Sequence, residues 1–337
     1  MFRRDLGLDL GSANLRLYVR GRGVVLHEPS VVAHGADDDR LYAVGHDARA
    51  MAERVPPRIV VTRPIRGGVV ADYRIATVLL RVLLRHASRR LPLGRPAVML
   101  AVPAGVTSVE SRALVDAAFQ AGAREVYLLP APLAAAIGAN VPLASASGHL
   151  LLDLGAGTTQ AAVLSLNDIV ISRTLRQGGE RLDALIAAHV KREHRLLIGR
   201  STAEEIKVRL ASAVRLPEDV TLEVKGLDAT TALPRTIQLS SWEITDALRE
   251  GLQAIVDTVR TVLEQTPPEL ASDIADKGIL LTGGGALLRN LDQLLTREIG
   301  LPVVLAEDPL TCVAVGAGRA LEHLDVFQDS LLPVGSA

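Results

Sequence analysis

Residues 151–160 read LLDLGAGTTQ, and residues 6–15 read LGLDLGSANL. Each is an apolar strand ending in Asp, followed by a turn of Gly and other small residues and then by a second apolar strand. Asp9 and Asp153 hold matching positions, 153 − 9 = 144 residues apart, a separation of domain size. Small residues in such a hairpin leave backbone N–H groups open to an anion. An acidic residue at its mouth holds a cation through oxygen or water ligands, as Mg2+ prefers. One such hairpin reads most simply as a tight turn with an Asx-type cap. Two at domain spacing favour a polyphosphate gripped from both sides. A third Gly-rich stretch, ILLTGGGALL (279–288), reads as a buried strand, three glycines and a helix start. The N–H groups and positive dipole end of such a helix also suit an anion.

The 337 residues are enough for two domains. Apolar residues make up 48% and charged residues 22%, the balance of a globular chain. Aromatics are only 2%, so Leu, Val, Ile and Ala must fill the cores. With 37 basic and 38 acidic residues the formal charge is −1. That argues against a nucleic-acid partner, which calls for excess positive charge. The single cysteine, Cys312, excludes an internal disulfide or a cysteine metal cage and suits a reducing cytosol. In the helical run TCVAVGAGRAL it reads as a small buried residue and not as a nucleophile. No apolar run approaches the ~20 residues of a membrane span, and MFRRDLGLDLG lacks a signal-peptide core. A cytosolic protein is therefore expected.

Strand-like and helical runs alternate, the pattern of an α/β fold. Strands are expected at 6–10, 15–19, 97–102, 125–129, 150–153, 161–166, 169–174 and 278–282. Helices are expected at 75–90, 109–121, 182–194, 203–213, 242–264 and 288–298. Thr107-x-x-Glu110 and Ser201-x-x-Glu204 both fit capping boxes, and Glu110 is read as a cap only.

Two phosphate hairpins followed by a Gly-rich adenosine motif resemble the actin/Hsp70/sugar-kinase superfamily. Within it the sequence resembles the MreB/Mbl family, bacterial actin-like proteins that organise cell-wall synthesis and rod shape. HEPSVVA (27–33), VADYRIA (70–76), VPAGVTSVESRA (102–113), PLAAAIGAN (132–140), LIGRSTAEEIK (197–207), QTPPELASDI (265–274) and EDPLTCVAVGAG (307–318) carry the likeness over nearly the whole chain. It implies an actin-like α/β fold of two duplicated domains, four subdomains in all, around a nucleotide cleft. The first domain would comprise 1–145 with 310–337 and a small insertion at 33–65. The second would comprise 146–309 with an insertion at 182–245. The implied cofactors are ATP and Mg2+.

Carried over residue by residue, Gly11, Ser12, Ala13 and Asn14 would form the first phosphate loop. Gly155, Gly157, Thr158 and Thr159 would form the second. Asp9 and Asp153 would order Mg2+ through water. Gly178, Gly179 and Glu180 of GGERLD would lie near the sugar and phosphates, Glu204 and Lys207 around the nucleoside, and Gly284, Gly285, Ala286 and Leu287 along the adenine. For Glu204 a helix cap and a nucleoside contact are equally supported. Phe2, Leu91 and Leu93, each beside arginines, match the segments with which the family touches lipid. The implied partners are further copies of the chain in a filament, the inner face of the cell membrane and the wall-elongation machinery.

Three acidic positions of the family are replaced here, and Leu15 stands where the family commonly has Thr, a milder loss of one hydroxyl. Where it has Glu-Glu-Pro before PLAAAIG, this chain has Pro130 and Ala131, and where its second hairpin ends in Glu, this chain has Gln160. Ala131 can neither orient nor deprotonate water, and Gln160 can orient water but not take its proton. An ATP-binding filament protein with weak hydrolysis is therefore expected. A fully active filament ATPase, with a carboxylate from elsewhere, ranks second. A small-molecule kinase or Hsp70-like chaperone ranks third, since neither a kinase catalytic Asp motif nor a peptide-binding domain is evident.

Overall fold

The computed structural model describes residues 5–38, 40–52, 54–88 and 94–333. Two five-stranded sheets dominate it, and they are built alike. In the first, Asp5–Leu10 pairs antiparallel with Asn14–Val19, which pairs antiparallel with Gly23–Pro29. On its other side Asp5–Leu10 runs parallel to Ala97–Val102, and that strand runs parallel to Glu125–Pro130. In the second, His149–Leu154 pairs antiparallel with Thr159–Ser165, followed by Asp168–Leu175, and runs parallel to Ile279–Thr282, followed by Val303–Leu305. The duplication seen in one motif therefore extends to the strand order and sense of a whole sheet. Asp9 faces Arg16 in the first hairpin and Asp153 faces Gln160 in the second, so Arg16 and Gln160 are register equivalents.

Central strands such as AVMLAV (97–102) are apolar on both faces because helices cover both faces of a mixed sheet. The helix Tyr73–Ser88 buries Ile75, Leu79, Leu80, Leu83 and Leu84, one apolar stripe at helical spacing. Ser108–Ala121 starts on the Thr107/Glu110 capping box and ends on left-handed Gly122. Between the sheets the helices Ala131–Gly138 and Cys312–Glu322 cross at very close range. A Cβ at Gly138 would strike the Cys312 carbonyl, and one at Gly316 the Ala134 carbonyl. Their shared apolar cluster takes Met99 and Leu129 from the first sheet and Leu151 and Leu164 from the second, so the two sheets share a pivot.

Each half carries a smaller sheet. Val32–Gly35, Leu41–Val44 and Ile59–Thr62 form one; Leu196–Leu197, Thr221–Asp228 and Pro234–Ser240 form the other, beside the helix Arg200–Leu210. The expected helix at 203–213 is Arg200–Leu210 with Gly199 as N-cap and no side-chain cap bond, so the Ser201/Glu204 capping box does not form. The glycines after Ile279–Thr282 lead into a 3-10 turn, Gly284–Leu287, and the following α-helix begins at Leu291, not at Leu288. Among the described residues no helix is long and apolar enough to cross a membrane.

Candidate functional site: a cleft between the two sheets

The two hairpin turns meet across a cavity of about 660 Å³, within the range of small-molecule sites. Gly157 lies so near Ser12 that a Cβ there would overlap its Oγ, and would come within 2.9 Å of the Gly67 nitrogen. Ser12 Oγ in turn accepts the Gly68 N–H at 3.2 Å. Each turn is buttressed from behind. Ser30 Oγ donates to the Gly11 carbonyl at 2.5 Å, and the N–H groups of Gly179 and Glu180 donate to the carbonyls of Gly155 and Ala156 at 3.0 and 2.9 Å. The helix Gly179–His194 thus begins directly against the second turn.

Of the residues expected to bind ligand, Asp9, Gly11, Ser12, Ala13, Asn14, Asp153, Gly155, Gly157, Thr158, Gln160, Gly179, Glu204, Lys207, Gly284, Gly285 and Leu287 line this cavity, as does Ala131. Thr159, Gly178, Glu180 and Ala286 are not on its wall. Thr159 is fully buried with its hydroxyl donating to the Gln177 carbonyl at 2.9 Å, and Ala286 is the buried residue of the 3-10 turn. A Cβ on Gly178 would clash with the Gly155 carbonyl, so its part is to let the turn and the helix start close up. Glu180 faces a neighbouring hollow between the helices His46–Met51 and Arg200–Leu210. There it bonds Arg63 at 2.6 Å and Arg200 at 3.0 Å, while Glu204 bonds Arg49 at 2.6 Å. Lys207 Nζ donates to the Gly179 carbonyl at 3.0 Å and lies 2.7 Å from Asp183 Oδ1. Phe2, Leu91 and Leu93 lie outside the described residues.

Electrostatics at the floor of the cleft are unusual. Burial, then the nearby Asp9 carboxylate, push Asp153 up to about 7, against the pull of the Thr282 hydroxyl and of Arg16. Thr282 reaches Asp153 Oδ1 at 3.1 Å because their strands run parallel in register. Burial likewise raises Asp9, with Arg16 pulling the other way from 3.2 Å. Buried Asp153 and part-buried Asp9, repelling each other among glycine turns, are a donor set suited to Mg2+, whose charge would relieve the repulsion.

Of the departures from the family, Ala131 and Gln160 face this space. Ala131 presents only a methyl group. Gln160 is 2% exposed, and its Oε1 accepts the Ala104 N–H at 2.9 Å, with the Thr174 hydroxyl at 3.4 Å. The Ala104 N–H demands an acceptor, so the amide's donor end is left for the cleft.

Sequence reasoning missed Arg16, although its pairing with Asp9 follows from hairpin arithmetic. It also missed the bridges across the cleft. Glu110 is more than a cap, because Arg176 from the other half meets it twice, at 2.8 and 2.9 Å. Cys312 is buried and its thiol is pushed up to about 11, chiefly by burial, so it is inert as expected.

Two sheets of matched topology around a nucleotide-sized cleft define the actin-like fold. The solved structure of MreB5 from Spiroplasma citri bound to AMPPNP superimposes with a TM-score of 0.90 at 36% identity, covering 98% of this chain and 99% of that one. The same protein bound to ADP gives 0.91 at 35% identity, covering 97% and 98%. A MamK double helical filament, at 22% identity and a TM-score of 0.81, shares the fold. In sequence the chain is 49% identical over 336 residues to the cell shape-determining protein MreB of Escherichia coli strain K12, covering 98% of this chain and 97% of that protein. It is 43% identical over 325 residues to the cell shape-determining protein Mbl of Bacillus subtilis strain 168, covering 96% and 98%. The family model for MreB/Mbl protein matches residues 3–329. The chain belongs to the MreB/Mbl family of actin-like, cell shape-determining proteins.

Proposed function

We propose that this chain binds ATP with Mg2+ in the cleft, polymerises on the inner face of the cell membrane, organises wall synthesis there, and hydrolyses ATP slowly. The observation that carries the nucleotide reading is the repelling carboxylate pair, part-buried Asp9 and buried Asp153, between two facing glycine turns. The AMPPNP- and ADP-bound MreB5 neighbours support it. Bound Mg2+ would neutralise polyphosphate charge. Asp9 and Asp153 would hold it through water, the N–H groups at 11–14 and 156–158 would orient the phosphates, and Gly284–Leu287 with Glu204 and Lys207 would flank the nucleoside. Glu180 would hold Arg63 and Arg200 and so shape the mouth of the cleft. Asp153→Ala should abolish saturable ATP binding in calorimetry; unchanged affinity would remove the site from the account.

Slow hydrolysis follows from Ala131 and Gln160, which leave no proton acceptor at either family position. Losing one positioned acid–base group costs roughly 10²–10⁴-fold in rate, or about 3–5 kcal/mol of barrier. The matched sheets support two domains, 1–145 with 310–337 and 146–309, with insertions at 33–65 and 182–245. Head-to-tail stacking of such units builds an open polymer, and family membership supports it. Membrane contact through Phe2, Leu91 and Leu93 rests on their apolar–basic sequence and on its falling where the family touches lipid.

A further inference from the structure

Far from the cleft, the last turn of the helix Gly179–His194 meets the start of the helix Ser241–Glu264. His189 Nε2 and His194 Nε2 both converge on one oxygen, Glu243 Oε2, at 3.2 and 2.8 Å. The three ligand atoms lie within 4.8 Å of one another, and this is the one such group found among the described residues. His194 is the final helical residue, and left-handed Arg195 (φ 50°) then turns the chain away.

We propose that His189, His194 and Glu243 form a binding site for a divalent transition-metal ion, zinc above all. Two imidazoles and one carboxylate select zinc, copper or nickel over Mg2+ or Ca2+, which prefer all-oxygen shells. Zinc bonds of ~2.0–2.1 Å in tetrahedral geometry put ligand atoms about 3.4 Å apart. The two observed N–O separations fall within roughly half an ångström of that. The third separation, between the two imidazole nitrogens, is at most 4.8 Å, so side-chain rotations must draw the histidines together.

The carboxylate is already positioned. Glu243 is the third residue of its helix, and its Oε1 accepts the Ser240 N–H at 2.6 Å in a capping box, which leaves Oε2 to the imidazoles. This is the supporting hydrogen bond that metal-ligating carboxylates commonly have. The side chains of His189, His194 and Glu243 are 11%, 25% and 24% exposed, so the group is sheltered yet open to one water as a fourth ligand. The negative end of the helix dipole at His194 favours a cation. The neighbouring positive groups are Lys191, Arg192, Arg195 and Arg235. Of these Arg235 donates to the His194 carbonyl, and the one facing an imidazole ring nitrogen is Arg192, 3.5 Å from His189 Nδ1. It is 68% exposed and bonded to Glu193 at 2.6 Å, so it can turn aside when metal binding moves the His189 proton to Nδ1. The site would pin the neck through which residues 195–240, including the helix that bears Glu204 and Lys207, leave and rejoin the second domain.

The test is zinc titration of tag-free full-length protein by calorimetry, with Mg2+ present to occupy the cleft carboxylates. The variants are His189→Gln, His194→Gln and Glu243→Gln, with His27→Gln as the control. Glu243→Gln keeps an oxygen for the Ser240 N–H, so its helix cap survives. The expected result is one zinc per chain in wild type and in the control, weakened about tenfold or more in each ligand variant. X-ray absorption of the zinc-loaded protein should show two imidazoles in the coordination shell. No zinc uptake by wild type, wild-type affinity in the histidine variants, or a shell of oxygen alone would overturn the proposal.

Discussion

Asp153→Asn is expected to stabilise the metal-free protein at neutral and alkaline pH. The Asn oxygen can still accept the Thr282 hydroxyl while the buried charge disappears. In the folded protein the Asp153 carboxyl sits at about 7, against 3.8 when unperturbed. A raised value means that the folded protein keeps the proton between those limits while the unfolded chain has lost it. The stability contributed by that proton is fully present below about 3.8 and is lost as the pH rises through about 7. Each pH unit of that window is worth about 1.4 kcal/mol. Between about pH 5.5 and pH 8 wild type should therefore lose roughly 2 kcal/mol that the variant does not. For a chain of 337 residues that amounts to a shift of about 3 °C in Tm. The assay is thermal unfolding of both proteins in EDTA across that range, taking the difference between them so that all other titrations cancel. Mg2+–ATP should restore wild type and leave the variant unmoved. If the two melting curves keep a constant offset from pH 5.5 to pH 8, the carboxylate pair is not the strained element inferred.

Gly157→Val should weaken ATP binding by at least about 100-fold, because the side chain must displace Ser12 and the Gly67 backbone; filter binding with labelled ATP checks this. Arg176→Ala should cost at most about 1 kcal/mol in urea unfolding, since Arg176 is 47% exposed. Arg176 holds Glu110 down to about 2, so this bridge, present above the ordinary value of 4.5, should fade only as the pH falls towards 2. The triple variant Phe2→Ala, Leu91→Ser, Leu93→Ser should lose co-sedimentation with anionic liposomes, each leucine contributing roughly 1.5–3 kcal/mol when buried; pelleting equal to wild type would exclude this face as an anchor.

The core of the fold could be read locally. An Asp at the end of an apolar strand, a glycine turn and a second strand specify a hairpin from adjacent residues alone, and doing so twice specifies the duplication. Arg16 was legible in principle, lying as far beyond Asp9 as Gln160 lies beyond Asp153. The small sheets were harder, because Leu41–Val44 is short and partly exposed, and Pro234–Ser240 is largely exposed and lacks a continuous apolar run. The Ser201/Glu204 box misled because a local pattern competed with a long-range partner: Glu204 reaches Arg49, 155 residues away, instead of its own helix start. Glu110 satisfied both, capping its helix and gripping Arg176, and only the cap lies within reach of sequence spacing.

The central claim is a cleft that holds ATP yet lacks the acid to hydrolyse it. Its most direct test is steady-state turnover under saturating Mg2+–ATP, wild type beside the Ala131→Glu, Gln160→Glu double variant, with affinity measured in parallel. At both positions a carboxylate would face the space where Ala131 now offers a methyl group and Gln160 an amide. The account predicts slow turnover by wild type and a rise of about 100-fold or more in the variant at similar affinity. Fast hydrolysis by wild type, or equal rates in the two proteins, would contradict it.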